Sequence, residues 1–287
     1  MDGIINLWKP TGITSHDAVY KVRRALSVKR VGHTGTLDPL AEGVLPICVG
    51  KATKLADYIA ADRKTYIATM RFGIETDTQD ITGEVISRCD KQVTEEELCK
   101  AKASFTGDIM QVPPMYSAVH HKGRRLYELA REGIIVERQP RPVTIHSITV
   151  NSFCGSEAEI EVECSKGTYI RTLCHDIGKH LGTVATMTRL IRTKSGVFST
   201  DTAITLETLE KEGGHHLIPP DKFFEDLRKI IISASDEKKV RCGMQIKTNA
   251  PKGERVRLYS ESGEFLCVSK CTESDKEKYF KMELSFY

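Results

Sequence analysis

The stretch from Arg30 to Lys54, RVGHTGTLDPLAEGVLPICVGKATK, constrains the chain more than any other. Its first half, up to Gly43, has neither the helical nor the strand period of apolar residues. An irregular run of that length inside a compact domain is usually a working loop. Gly32, Gly35 and Gly43 read as points where the main chain takes angles closed to other residues or meets a ligand. His33, Thr34, Thr36 and Asp38 are the polar groups carried on that frame. Pro39 pushes Asp38 away from helical angles, so its carboxylate sits on an extended, restricted backbone. On these residues alone Asp38 is either a catalytic carboxylate or the start of an Asp-Pro turn.

At 287 residues the chain can hold one large core, or a larger domain with a smaller one attached. A net charge of only +3 permits a nucleic-acid partner without demanding one. Nine cysteines are scattered, and only Cys267 and Cys271 stand close together, so no paired zinc spacing exists. They read as reduced, mostly buried thiols of a cytoplasmic protein. The opening MDGIINLWKP lacks a signal-peptide pattern, and no apolar run is long enough to span a bilayer.

Along the chain, Gly3 to Trp8 reads as a buried strand, with Gly12 helping the turn after Pro10. Ser15 reads as the N-cap of a helix bearing Ala18, Val19, Val22, Ala25 and Leu26. Val44 to Val49 suits a buried strand, and Lys51 to Ala61 a helix. In KTYIATMRFG, Tyr66, Ala68, Met70 and Phe72 alternate with Ile67, Thr69 and Arg71, which predicts a strand before the turn-rich TDTQDITG. Thr94 and Glu97 form a capping box for a helix to about Phe105. VPPMYSAVHHKG is irregular, and RRLYELARE is a short helix entered by basic residues. Val143 to Phe153 and Glu157 to Cys164 read as neighbouring strands.

From Thr168 a helix is signalled by Ile170, Leu173, Cys174, Ile177 and Leu181 on one face, with Tyr169 and Arg171 off it in the first turn. A cation at a helix N-terminus opposes the helix dipole unless an anion meets it, so Arg171 asks for an anionic partner. Val184 to Val197 reads as a strand pair around Leu190. KEGGHHLIPPDK suggests a boundary region. Beyond about Ile230 short strands such as RVRLYS and EFLCVSK predict a small β domain.

Three other chemistries fit poorly. Gly43 to Lys51 has the wrong spacing for a phosphate-binding P-loop, and Ala52 stands where Ser or Thr should hold magnesium. Asp38 and Glu42 lie four apart in one loop, which says nothing of two carboxylates flanking a sugar bond. No GxSxG elbow is present.

Taken together, GHTGTLDPLAEGVLPICVGKATK, KTYIA, VPPMYSAV with KGRRLYELAR, and SKGTYIRTLCHDIGKHLG closely resemble the bacterial tRNA pseudouridine-55 synthases, the TruB family. The resemblance runs from about Gly3 to Leu190 and fades in the tail. It implies an α/β fold of the α+β type, the pseudouridine-synthase fold: a central mixed, largely antiparallel sheet flanked by helices, plus a small C-terminal β domain. The expected division is residues 1–229 as catalytic domain and 230–287 as the β domain, of a PUA-like, RNA-binding kind.

The activity implied is isomerisation of uridine 55 in the tRNA T stem-loop, with no cofactor, no metal and no obligate protein partner, by a cytoplasmic monomer. By the motif match Asp38 is the essential carboxylate, Arg171 its ion partner, and Tyr66 the active-site tyrosine that stacks on the target base. Tyr169 and Leu190 hold the base, and His33 fills the space it vacates in the T loop. A carboxylate can attack the electrophilic sugar carbon or act as a base, and either use suits this reaction. Lys9, Lys64, Lys122, Arg124 and Arg125 are the expected phosphate contacts. Glu42 is expected to turn from the RNA or pair with a cation. The competing reading is a non-catalytic tRNA-binding or folding protein of the same shape, which would not require Asp38, Tyr66, Tyr169 and Arg171 together.

Overall fold

The computed structural model describes residues 1–60, 63–274 and 277–287. Its elements begin with β1 (Gly3–Lys9), α1 (Ser15–Ala25), β2 (Val31–His33), β3 (Glu42–Val49) and α2 (Ala56–Ala60). Next come β4 (Lys64–Phe72), β5 (Ile74–Thr76), β6 (Val85–Arg88), α3 (Glu95–Ala101) and β7 (Gly107–Gln111). The small hairpin β8 (His120–His121) and β9 (Arg124–Arg125) leads into α4 (Leu126–Arg131), β10 (Arg141–Cys154), β11 (Glu157–Cys164) and α5 (Ile170–His180). β12 (Ala185–Ser195), β13 (Phe198–Ser199) and α6 (Leu206–Glu212) follow. The tail holds β14 (Arg228–Ile231), α7 (Ala234–Arg241), β15 (Ile246–Lys247), β16 (Arg255–Tyr259), β17 (Phe265–Ser274) and β18 (Glu277–Ser285).

The main sheet has the order β1-β3-β12-β4-β11-β10-β7, with β2 on β3 and β13 on β12. Only its β3–β12 junction is parallel; the other pairings are antiparallel. The alternation read in β4 is real: Tyr66, Ala68, Met70 and Phe72 are buried while the residues between them are half-exposed. These side chains join α1 and α5 in one apolar core. A second sheet, β14-β16-β17-β18-β15, lies against the first. Ile4, Val44 and Cys48 of the first sheet share an apolar cluster with Phe224, Val268 and Phe286. Five of the nine cysteines are buried and none is disulfide-bonded. Among the described residues no helix is long and apolar enough to cross a membrane.

The structure corrects several local readings. Thr14, not Ser15, caps α1, because Asp17 three residues on completes a reciprocal capping box with it. Lys51 to Ala61 is not one helix. A 3₁₀ turn over Gly50–Leu55 precedes α2, tightened by the Asp2 carboxylate on the Lys51 N–H and by Thr53 on the Gly50 carbonyl; Ala61 lies outside the described residues. Val184 to Val197 is not a strand pair but the single strand β12, whose register against β4 slips twice, at Thr188 and Thr193. Those two bulges break the strand period and mimic two segments. The helix read from Thr168 begins at Ile170. Val31–His33, inside the irregular loop, pairs with β3 as a short strand. Of Gly32, Gly35 and Gly43, only Gly43 has a positive φ, at 111°.

Candidate active site

Ser15 opens α1 with its side chain turned inward, because Thr14 has taken the capping role. Its Oγ donates to the Leu37 carbonyl at 2.9 Å and accepts from the Leu37 N–H at 2.7 Å, tying helix to loop one residue before Asp38. At the other end of the loop Gly43 meets β12 so closely that a Cβ there would sit 2.3 Å from the Arg192 carbonyl. The loop is thus pinned to a helix at one side and to the parallel β3–β12 junction at the other.

Asp38 receives Arg171 Nε at 2.9 Å. Arg171 sits in the first turn of α5 and is only 4% exposed, while the Asp38 side chain is 36% exposed. The rest of the guanidinium is spoken for: one Nη donates to the Thr78 carbonyl, the other to the Tyr116 carbonyl, both at 2.9 Å, and Asp80 lies 3.7 Å away. The arginine is therefore fixed, and the carboxylate it orients keeps an open face. Asp38 is also the anion that a cation at this helix start requires.

Around this pair lies a cavity of about 700 Å³, walled by Tyr66, Tyr169, Leu190, Lys64 and Arg192 with the loop residues Thr34 to Asp38. Tyr66 and Leu190 come from the adjacent strands β4 and β12, and the unbroken register from Leu190 to Arg192, between the two bulges, keeps those two residues on the same face. Tyr169 is held by a two-way bond to Gln111, its N–H donating to Oε1 and its carbonyl accepting from Nε2. Burial raises the Tyr66 phenol, opposed by nearby Arg192. Burial likewise raises the Tyr169 phenol, opposed by neighbouring Ser117 and by the charge of Arg171. Both stay as neutral O–H groups near pH 7.

Lys64 is buried at the cavity wall, its Nζ donating to the Ala60 carbonyl. His33 stands apart from the lining residues, accepting from the Gly35 N–H through Nδ1. Burial, and then the charge of Arg192, hold His33 below its ordinary range, so it is a neutral imidazole. Lys9 is fully buried and donates to the Pro10 and Ile13 carbonyls, which removes it from the expected phosphate contacts. Burial lowers its ammonium to about 8, against the attraction of Asp38. Arg124 and Arg125 lie exposed on β9, with Arg124 paired to Glu132. Glu42 pairs with Arg189 at 2.9 Å, as expected of it. Among the described residues no three His, Cys, Asp or Glu side chains converge as a metal site.

The sequence reading missed Ser15 as a loop anchor, Asp80 and Gln111 as supports, and Arg192 altogether. Arg192 stands two residues after Leu190, so a strand period counted from Leu190 puts it on the same cavity face. Asp80 was hidden in a segment that reads only as a turn.

The sheet order, the loop and the cavity define a pseudouridine-synthase fold. A chain of a Cbf5-Nop10-Gar1 complex superposes over 99% of this chain and 84% of its own length, with a TM-score of 0.69 and 28% identity. An H/ACA RNP bound to a substrate RNA containing 2'-deoxyuridine gives 0.68 at 26% identity, over 99% of this chain and 85% of that one. Residues 23–170 match the TruB family pseudouridylate synthase N-terminal domain, and residues 171–232 match the tRNA pseudouridylate synthase B C-terminal domain. The tRNA pseudouridine synthase B of Clostridium perfringens (strain 13 / Type A) is 44% identical, covering 99% of this chain and 98% of the relative. That of Symbiobacterium thermophilum is 49% identical, over 85% of this chain and 83% of its own. The chain belongs to the TruB family of pseudouridylate synthases, which are isomerases.

Proposed function

We propose that the protein converts uridine 55 in the T stem-loop of tRNA to pseudouridine, with Asp38 as the essential carboxylate. The observation that carries this reading is the Arg171–Asp38 contact of 2.9 Å beside a cavity walled by two tyrosines and a leucine. A uridine inside the stack cannot reach Asp38, so it must swing out, and the aromatic walls offset part of the lost stacking. Asp38, held by Arg171 and open on one face, meets the sugar as C1′ becomes electron-poor. The N1–C1′ bond breaks, the base turns between Tyr66 and Leu190, and C5 bonds to C1′. The C5 proton leaves and N1 ends protonated, so no atom is gained or lost overall. The Tyr66 O–H, neutral by burial and on the cavity wall, helps that proton move in this reading.

Tyr169 holds the base from the α5 side, and Lys64, on the cavity wall, lends its positive charge to the entering RNA. His33, neutral and next to the loop, fills the gap that the departed base leaves. The chain acts in the cytoplasm as a monomer, with residues 1–229 as the catalytic domain and 230–287 as a PUA-like β domain that adds RNA contact. The test is incubation of the protein with unmodified tRNA transcript, mapping pseudouridine by position, beside Asp38→Asn. Product at position 55 from the wild type alone is the expected result. Product at another uridine overturns the site, and turnover by Asp38→Asn overturns the role of Asp38.

A further inference from the structure

Asp38 lies on an irregular loop, yet the main chain leading to it is held from two sides by buried donors. Ser15 grips Leu37 through both its N–H and its carbonyl. Arg192, on β12, spends every nitrogen of its guanidinium on carbonyls: Nε on Val44 at 2.7 Å, Nη2 on Gly35 at 3.2 Å and Nη1 on Thr36 at 3.4 Å. Gly35 and Thr36 precede Asp38 on the loop, whereas Val44 belongs to the rigid strand β3. The guanidinium therefore bridges loop and sheet.

An arginine 1% exposed, with no carboxylate in ion-pair range among the described residues, is a costly occupant of a core position. An apolar side chain would fill the volume without that cost, but would leave three carbonyls short of donors. Lysine, a single point charge on a flexible stem, cannot reproduce the planar fork that reaches all three. We propose that Arg192 is a positioning residue for the isomerisation: through Gly35 and Thr36 it fixes the backbone from which Asp38 meets the sugar. The inference rests on the role given to Asp38 above. It also gives Arg192 a second effect, since its charge lies behind the phenol of Tyr66, its direct partner across the β4–β12 ladder.

The test is single-turnover kinetics on saturating unmodified tRNA, with tRNA affinity and melting temperature measured on the same preparations. Arg192→Lys should lose about 30-fold or more in rate while its tRNA Kd stays within about threefold, because misplacing a reacting group costs rate before it costs binding. Ser15→Ala, which frees the loop from the other side and leaves Arg192 intact, should lose rate in the same manner. A folded Arg192→Lys with wild-type rate overturns the inference, as does a loss seen wholly in Kd. If Arg192→Lys does not fold, Ser15→Ala decides, and an unchanged rate in it removes the idea that the loop must be held. Asp38→Asn runs alongside: turnover in that variant removes the Asp38 assignment itself, a failure distinct from that of Arg192.

Discussion

Tyr66 and Arg192 face each other across the β4–β12 ladder, and both line the cavity that Asp38 opens into. The phenol is raised by burial and pulled back by the arginine, so it is a hydrogen-bond donor with a cation behind it. Tyr66→Phe keeps the ring and removes the donor. The expected outcome is tRNA binding within about threefold of wild type and a rate lower by about 100-fold, the range of a lost proton-transfer group. Rapid-quench measurement of product at saturating enzyme checks it; a wild-type rate would leave Tyr66 with stacking alone.

Arg171 makes contacts to Asp38, Thr78 and Tyr116 that only a planar fork can make together. Arg171→Lys retains the charge but not the geometry. We expect a rate loss of about 100-fold or more, with binding nearly unchanged, because Asp38 is then attracted but not aimed. Comparing product formation with filter-binding affinity separates the two effects.

Gly43, at the start of β3 where the loop ends, leaves no room for a side chain, both for its positive φ and for the Arg192 carbonyl 2.3 Å from any Cβ. Gly43→Ala should destabilise the fold by about 3 kcal/mol or more, since β3 and β12 must part to admit the methyl. Urea denaturation measures it. A loss under about 1 kcal/mol would mean that the junction yields more easily than its geometry indicates.

Leu190 is 6% exposed and forms a cavity wall. Leu190→Ala enlarges the space in which the base is held and removes core contacts. The expected cost is about 2–5 kcal/mol in stability, together with a rate loss greater than the loss in tRNA affinity. Denaturation and kinetics on one preparation check both parts.

Lys9 supplies a pH signature. Its folded-state ammonium sits at about 8, below the ordinary 10.5, so the unfolded chain holds this proton more tightly. Below pH 8 the buried charge carries its full cost. Between about pH 8 and pH 10.5 the folded form is deprotonated first and the cost is relieved, by about 3 kcal/mol at most. The stability of wild type relative to Lys9→Met should accordingly rise across that window. Paired denaturation curves at pH 7, 9 and 10 test this; a flat difference would show that Lys9 titrates normally.

How much of this was legible beforehand depends on whether the cause was local. β4 declared itself through its strict alternation, and α3 through Thr94 and Glu97, because each depends on residues a few positions apart. Asp38, Tyr66, Tyr169, Arg171 and Leu190 were named from motifs, and the fold gathers them on one cavity. Arg192 escaped notice because its partners Gly35, Thr36 and Val44 lie about 150 residues away in the chain, a relation no local period encodes. Ser15 was misread for a similar reason. Its sequence context offers a cap, and only the returning loop reveals that its hydroxyl serves Leu37. β12 was split in two because the slips at Thr188 and Thr193 break the very period by which strands are recognised.

The apolar cluster shared by Ile4, Val44, Cys48, Phe224, Val268 and Phe286 joins the two sheets, so they should unfold as one cooperative unit. A protein shortened at residue 229 would expose the outer side of β1 and β3 to water, and β3 is the strand that Arg192 ties to the loop. The tail is thus a foundation wall of the active site as well as an appendage to it. Heating should melt both sheets in a single calorimetric step, and the shortened chain should lose rate even on a T stem-loop too small to touch the missing residues.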